Sequence, residues 1–209
     1  MARPRASSRA CAGRHVIELA LFPLNTVLFP GGRLPLRIFE QRYMDMAKRC
    51  LKDQSPFGVC AIREGNEVGT PAVPADVGCT ARIAEWDMAQ LGLLEIIGQG
   101  ESRFRILERR VEKNGLQVAR VELLSTETDA PVPESCSHCV RLLERVIEQH
   151  GGLLPSPHKL DSAAWVSARL AELLPLPLAA KQELLELDDA AVRLERVNSL
   201  LRASARAET

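Results

Sequence analysis

The chain has 209 residues, 27 basic and 27 acidic side chains, and 46% hydrophobic residues, the proportions of a soluble globular chain. Its length allows one domain or two small ones, no apolar run reaches the roughly 18 residues that span a bilayer, and zero net charge argues against a nucleic-acid binder that is basic as a whole. The zero is a sum: Arg3, Arg5, Arg9 and Arg14 lie in an acid-free start, leaving 23 basic against 27 acidic residues, a net charge of −4.

Residues 1–15 lack the apolar core of a secretory signal and an amphipathic stripe, so a disordered leader is expected there rather than a targeting segment. Short apolar or alternating runs broken by Gly and Pro follow, the signature of strands. Residues 16–22 form the first and 27–29 a second, closed by Pro30-Gly31-Gly32. Residues 34–38 form a third, in which Pro35 calls for an edge or a bulge. A helix is expected from near Phe39, with Phe39, Tyr43, Ala47 and Cys50 on one face beside Met46 and Leu51. Strands resume at 57–62, and at Cys79, Ala81 and Ile83, which alternate with Thr80, Arg82 and Ala84. A short strand buried on both faces is expected at 93–97, then alternating strands at 103–106 and 117–124 joined by the turn Lys113-Asn114-Gly115. Many short strands with one inserted helix imply a curled sheet or barrel rather than a βαβ stack.

After Leu124 the period changes. Residues 125–134 read as a linker, and beyond them every apolar stripe is helical. Cys136, Cys139, Leu143 and Val146 make one stripe; Val166, Leu170 and Leu173 make another, with Asp161 or Ser162 as its N-cap. A third helix holds Leu184, Leu185 and Leu187, and Asp188 is expected to cap a fourth that carries Ala191, Leu194, Val197 and Leu201.

Little in this sequence suggests catalysis. Cys136 and Cys139 form a C-x-x-C pair, but a structural zinc site needs four ligands and no second pair exists, so buried apolar cysteines are expected and metal ligation stands only as a weak alternative. Six cysteines in a chain of this length do not form a disulfide framework, which points to a reducing cytoplasm. Arg103, Arg105 and Arg109 share one strand face by parity, with Arg110 opposite, which reads as a solvated sheet face. Phosphate-loop, dinucleotide, metalloprotease and nucleophile-elbow motifs are all missing. Trp86, Met88 and Leu91 bring bulky apolar side chains near a hairpin tip and are the candidate binding residues; folding back onto the sheet is their alternative fate.

The stretch Leu21-Phe-Pro-Leu-Asn-Thr-Val-Leu-Phe-Pro-Gly-Gly-Arg-Leu-Pro-Leu-Arg-Ile-Phe-Glu-Gln-Arg-Tyr43 resembles the N-terminal substrate-binding domain of Lon proteases, and most of all the small stand-alone bacterial proteins built from it. Glu64-Gly-Asn-Glu-Val-Gly69, Val77-Gly-Cys-Thr-Ala-Arg-Ile83, Gly100-Glu-Ser-Arg-Phe-Arg-Ile106 and Lys181-Gln-Glu-Leu-Leu-Glu-Leu-Asp188 follow in the family's order. The resemblance implies an α+β fold: a PUA-like β pseudo-barrel over 16–124 with one inserted helix, then a helical bundle over 135–204. It implies recognition of polypeptide segments, as an adaptor or in protein quality control, without a cofactor, a membrane or nucleic acid as partner. The family's ATPase and Ser–Lys peptidase lie outside this domain, so no catalytic residues carry over. Two other readings are an enzyme, small-molecule or metal-dependent, in the barrel mouth, and, by analogy of fold alone, an RNA binder.

Overall fold

The computed structural model describes residues 15–125, 129–150, 154 and 156–207. The leader, with Cys11, and the middle of the 125–134 segment lie outside the described residues. Seven strands come first: β1 (Val16–Leu24), β2 (Arg33–Ile38), β3 (Phe57–Glu64), β4 (Val73–Pro74), β5 (Val77–Gln90), β6 (Leu93–Val111) and β7 (Gln117–Leu123), with α1 (Gln41–Asp53) inserted after β2. Four helices follow: α2 (Ser137–His150), α3 (Ala163–Leu173), α4 (Leu178–Glu186) and α5 (Ala190–Ala207).

The strands run β1-β7-β6-β5-β3 by antiparallel pairing, and a parallel β1–β3 pairing closes the ring. β1 manages both joins by dividing its length: Val16 to Leu21 pair with β7, while Leu21 to Leu24 pair with β3. Closure removes the open edges of these five strands and leaves β2, paired with β6 alone, on an edge. Phe104 fills the interior with Leu19, Leu21, Cys60, Ala119 and Val121. Two glycines make room for it. A Cβ on Gly58 would come within 2.8 Å of the Phe104 ring, and one on Gly78 within 2.6 Å of that ring and 2.5 Å of the Val59 carbonyl.

A second cluster lies beneath α1, where Tyr43, Met46, Ala47 and Cys50 pack on Phe22, Phe57, Leu94 and Ile96. The Phe22 and Tyr43 rings stack at 4.1 Å. Helix α1 starts two residues later than its periodicity predicts, after Glu40. Phe39 therefore leaves the buried face and is 58% exposed. The run 27–29 is not a strand either. It has strand composition but no ladder partner; Phe29 instead inserts into the helical core with Val27, Ala61, Ala75 and Val77. The glycines after it tie this loop to β6, with Gly31 N–H donating to Gly100 O and Gly100 N–H to Gly32 O, each at 2.9 Å.

β6 corrects two expectations. The strands expected at 93–97 and 103–106 are one continuous strand, and its first part alternates: Leu94 and Ile96 are buried, whereas Glu95 reaches the surface and pairs with Arg37 at 2.9 Å. An extra residue at Leu107, opposite the Arg120–Val121 step of β7, then shifts the alternation, so Arg105 and Arg109 do not share a face. Arg103 is not solvated. Its guanidinium is buried at the seam with the helices, where Nη1 donates to Leu185 O and Leu187 O and Nη2 to Asp188, all at 2.9 Å.

The helices pack on the ring through that seam. Ser162 caps α3 by accepting the Trp165 N–H at 3.0 Å, and Asp189 rather than Asp188 caps α5, accepting from Ala191 and Val192. Asp188 is engaged by Arg103 instead. Within the segment 129–133, Ala130 O accepts from Ala163 N–H and Val132 N–H donates to Asp161 O, so it pairs with the start of α3. From α3, Glu172 reaches the 29–32 loop: its carboxylate accepts the Phe29 N–H and sits against Arg169, whose Nη2 also donates to Pro30 O. Burial pushes the Glu172 carboxyl up to about 7 against the opposing pull of Arg169.

Candidate functional site

The long strands β5 and β6 extend past the ring as a hairpin whose turn is Leu91-Gly92, with Gly92 at φ 83°, a value that glycine adopts without strain. Trp86 pairs opposite Ile96, Asp87 opposite Glu95, and Gln90 opposite Leu93. Strict alternation from Cys79, Ala81 and Ile83 would put Trp86 on the opposite face from the core rows. A bulge at Ala84 absorbs one residue, because Ile83 pairs with Gly98 while Glu85 already pairs with Ile97. Trp86 thereby joins the face of Ile96 and of Leu36, which lies opposite Ile96 on β2.

All three candidate residues reach solvent on this arm: Trp86 is 60% exposed, Met88 40% and Leu91 96%. Exposed apolar side chains are ordinary singly, but three on one hairpin beside a groove are less so. The groove measures about 520 Å³ and is lined by Pro35, Leu36 and Arg37 of β2, by Glu85, Trp86 and Asp87, and by β6 from Glu95 to Ile97. Arg33 bridges to Glu85 and Arg37 to Glu95, so ion pairs form part of the groove lining. β2 pairs with β6 alone, so Pro35 stands on an edge strand, where a missing N–H costs least.

Cys136 and Cys139 lie elsewhere, fully buried in the helical core with Leu143 and Val197. Asn198 Nδ2 lies 3.6 Å from Cys136 Sγ, and burial, with Cys136 adding to it, raises the Cys139 thiol to about 11. No group of three or more metal-ligating side chains occurs among the described residues. The barrel interior is filled by Phe104 and its apolar neighbours.

Sequence reasoning missed Phe39 and Val68, both more than half exposed. With Phe22, Leu24 and the same Pro35, Leu36 and Arg37 they line a second, smaller groove of about 150 Å³. The one available signal was Glu40: a helix that starts after it excludes Phe39 from its first turn.

A family model described as the ATP-dependent protease La (LON) substrate-binding domain matches residues 18–203. The chain belongs to that family. It is 29% identical over 192 residues to a Lon protease of Anaeromyxobacter dehalogenans, an alignment that takes in 88% of this chain and 23% of the relative. It therefore spans under a quarter of the length of that relative. A crystal structure of a Lon N-terminal domain protein from Xanthomonas campestris is 38% identical, with a TM-score of 0.74 over 88% of this chain and 98% of that one. The N-terminal domain of a Mycobacterium avium complex Lon protease shares the fold alone, at 15% identity and a TM-score of 0.63 over 87% of this chain and 96% of that one. The matched region is the substrate-binding domain of this family, not its catalytic part. Among the described residues no helix is long and apolar enough to cross a membrane.

Proposed function

We propose that these residues form a non-catalytic recognition module for polypeptide segments, working as an adaptor or in protein quality control in the cytoplasm. The observation that carries this reading is the exposed hairpin triad of Trp86, Met88 and Leu91 beside the 520 Å³ groove, on a domain whose family is described as substrate-binding. A partner of this kind needs no reaction chemistry from the protein. It needs apolar surface that is solvated when empty and desolvated when filled, with a large aromatic as anchor. Trp86 supplies the anchor, with Met88 and Leu91 adding exposed apolar surface on the same hairpin.

The test is binding of a reduced, carboxymethylated protein, which cannot fold, against the same protein in its native state. The unfolded form should bind and the native form should not. Trp86→Ala should weaken binding about tenfold or more, the loss of one interface anchor of roughly 2 kcal/mol. Equal affinity for native and unfolded forms, or a Trp86→Ala variant indistinguishable from wild type, would refute the assignment.

A further inference from the structure

We propose that the outer edge of β2 captures an extended polypeptide segment as an added antiparallel strand, and that one apolar side chain of that segment enters the groove beside Phe39. This rests on the polypeptide-recognition reading above and specifies how the segment is held.

The β2–β6 ladder runs unbroken from the Arg33 and Gln99 pair to the Ile38 and Leu94 pair, and Pro35 lies inside it with no N–H to give. An antiparallel ladder alternates between residues that exchange both backbone bonds with their partner and residues that turn both groups away. Pro35 can only be of the second kind. Leu34, Leu36 and Ile38 therefore bond to β6, while the backbone groups of Arg33, Pro35 and Arg37 face outward. Among the described residues no hydrogen bond reaches those outward groups, because β2 pairs with β6 alone. The edge thus offers three carbonyls and the N–H groups of Arg33 and Arg37, each free to bond an antiparallel neighbour. Strand addition of this kind draws its affinity from the backbone of the captured chain and its selectivity from pockets for alternate side chains.

Such a pocket lies beside the edge. The groove of about 150 Å³ takes apolar lining from Leu36, Ile38, Phe22, Leu24, Tyr43 and Val68 but none from β6, so it opens on the outer side of β2. A cavity of about that volume holds a benzene-sized group. Successive side chains point to opposite faces of a sheet, so residues of an added strand that stand opposite Leu36 or Ile38 share the face of this groove. The position opposite Leu36 also extends the cross-strand row of Leu36, Ile96 and Trp86. Residues opposite Arg33, Pro35 and Arg37 point to the other face, which is solvated. An alternating segment, apolar on one side and polar on the other, matches both.

A second copy of this chain fits the edge poorly. Twofold pairing about Pro35 sets proline against proline, with neither able to donate, and each Arg33 against an Arg37. Like charges directly opposite are destabilising. Proline and charge guard the edge against self-association, yet leave its carbonyls open to a chain that brings its own N–H groups.

A fluorescein-labelled nine-residue peptide that alternates Thr with Val or Leu tests this by anisotropy with the full chain, beside versions N-methylated at one backbone amide each. Methylation at a central Thr, whose N–H points at β2 in the added strand, should weaken binding about fivefold or more, the loss of one backbone bond. Methylation at a central Val or Leu should change affinity less than about twofold. Arg37→Pro removes an outward N–H without touching the β6 ladder and should weaken binding about fivefold, whereas Arg37→Ala should not. Pro35→Val adds an N–H to the edge and should tighten binding. An unchanged thermal midpoint establishes that each variant folds, and the methylation series needs only the wild-type chain. If the peptide does not bind, or if methylation costs the same at Thr and at Val or Leu, the inference is overturned, and binding of the carboxymethylated protein decides the recognition reading separately. If methylation alternates but Arg37→Pro and Pro35→Val leave affinity unchanged, the strand pairs elsewhere and the inference is overturned as well.

Discussion

Replacing Arg103 with alanine should cost about half the stability of the fold, although the residue sits in what reads as an exposed basic cluster. The residue is 3% exposed, and its guanidinium joins the ring to the helices by donating to the carbonyls of Leu185 and Leu187 at the C-terminal end of α4, and to Asp188. Those carbonyls lie at the end of α4, past its last backbone donors, although Leu187 O also accepts from Arg193 Nη1 at 3.4 Å, and a cation beside them meets the negative end of the helix dipole. The bond to Asp188 contributes little, because that carboxylate is 83% exposed and water screens it. The two buried carbonyl bonds dominate, each worth roughly 1.5–3 kcal/mol when the donor is charged. Arg103→Ala should therefore lower unfolding free energy by about 3–5 kcal/mol, which in urea moves the midpoint down by roughly 2 M at an ordinary slope. Asp188→Ala should cost less than about 1 kcal/mol. Urea unfolding followed by far-ultraviolet circular dichroism measures both. If Arg103→Ala costs no more than the exposed Arg105→Ala, the seam is not held as described.

Two further perturbations probe the same seam and the ring. The Glu172 carboxyl titrates at about 7 in the fold against 4.5 as its ordinary value, so the folded state prefers it protonated: stability is greatest below pH 4.5 and is lost as pH rises through 7. The loss amounts to about 3 kcal/mol as an upper figure, with the opposing pull of Arg169 and Lys181 already included in that value. Glu172→Gln should flatten that part of the pH profile in urea titrations between pH 5 and pH 8, and an unchanged slope would refute it. Gly78→Ala should cost about 3 kcal/mol, because its Cβ meets the Val59 backbone carbonyl, which cannot step aside. Gly98→Ala, whose Cβ meets nothing nearer than 3.5 Å, should cost less than about 1 kcal/mol, and equal thermal midpoints for the two variants would contradict the packing.

What could be read in the sequence is what depends on neighbours along the chain. The alternation of Cys79, Ala81 and Ile83, the Asn114-Gly115 turn and the stripe of Tyr43, Ala47 and Cys50 all depend on residues a few positions apart. What could not be read depends on pairing with distant residues. The run 27–29 has strand composition, yet a strand needs a partner, and the helical core claims Phe29 instead. Arg103 finds its acceptors more than 80 residues away, so no local pattern announces that it is buried. The site shows the same division. Trp86, Met88 and Leu91 were visible as apolar residues near a turn, whereas the groove beside Trp86 exists only because β2 pairs with β6.

The bulge at Ala84 makes that division testable. Under strict alternation, removing one residue before Trp86 turns it to the other face of the hairpin and destroys the groove. The observed register says otherwise. Ile83 already pairs with Gly98 and Glu85 with Ile97, so Ala84 is the unpaired residue between them. Its deletion leaves an unbroken ladder from Ala81 to Asp87 in which Trp86 still faces with Ile96 and Leu36. The deletion variant should keep its unfolding free energy within about 1 kcal/mol, since it breaks no ladder bond. It should also keep its affinity for unfolded polypeptide within about threefold, roughly a third of the effect in free energy that losing the Trp86 anchor would have. A folded deletion variant that binds no better than Trp86→Ala would show that the twist the bulge adds, rather than the face it selects, is what positions the tryptophan.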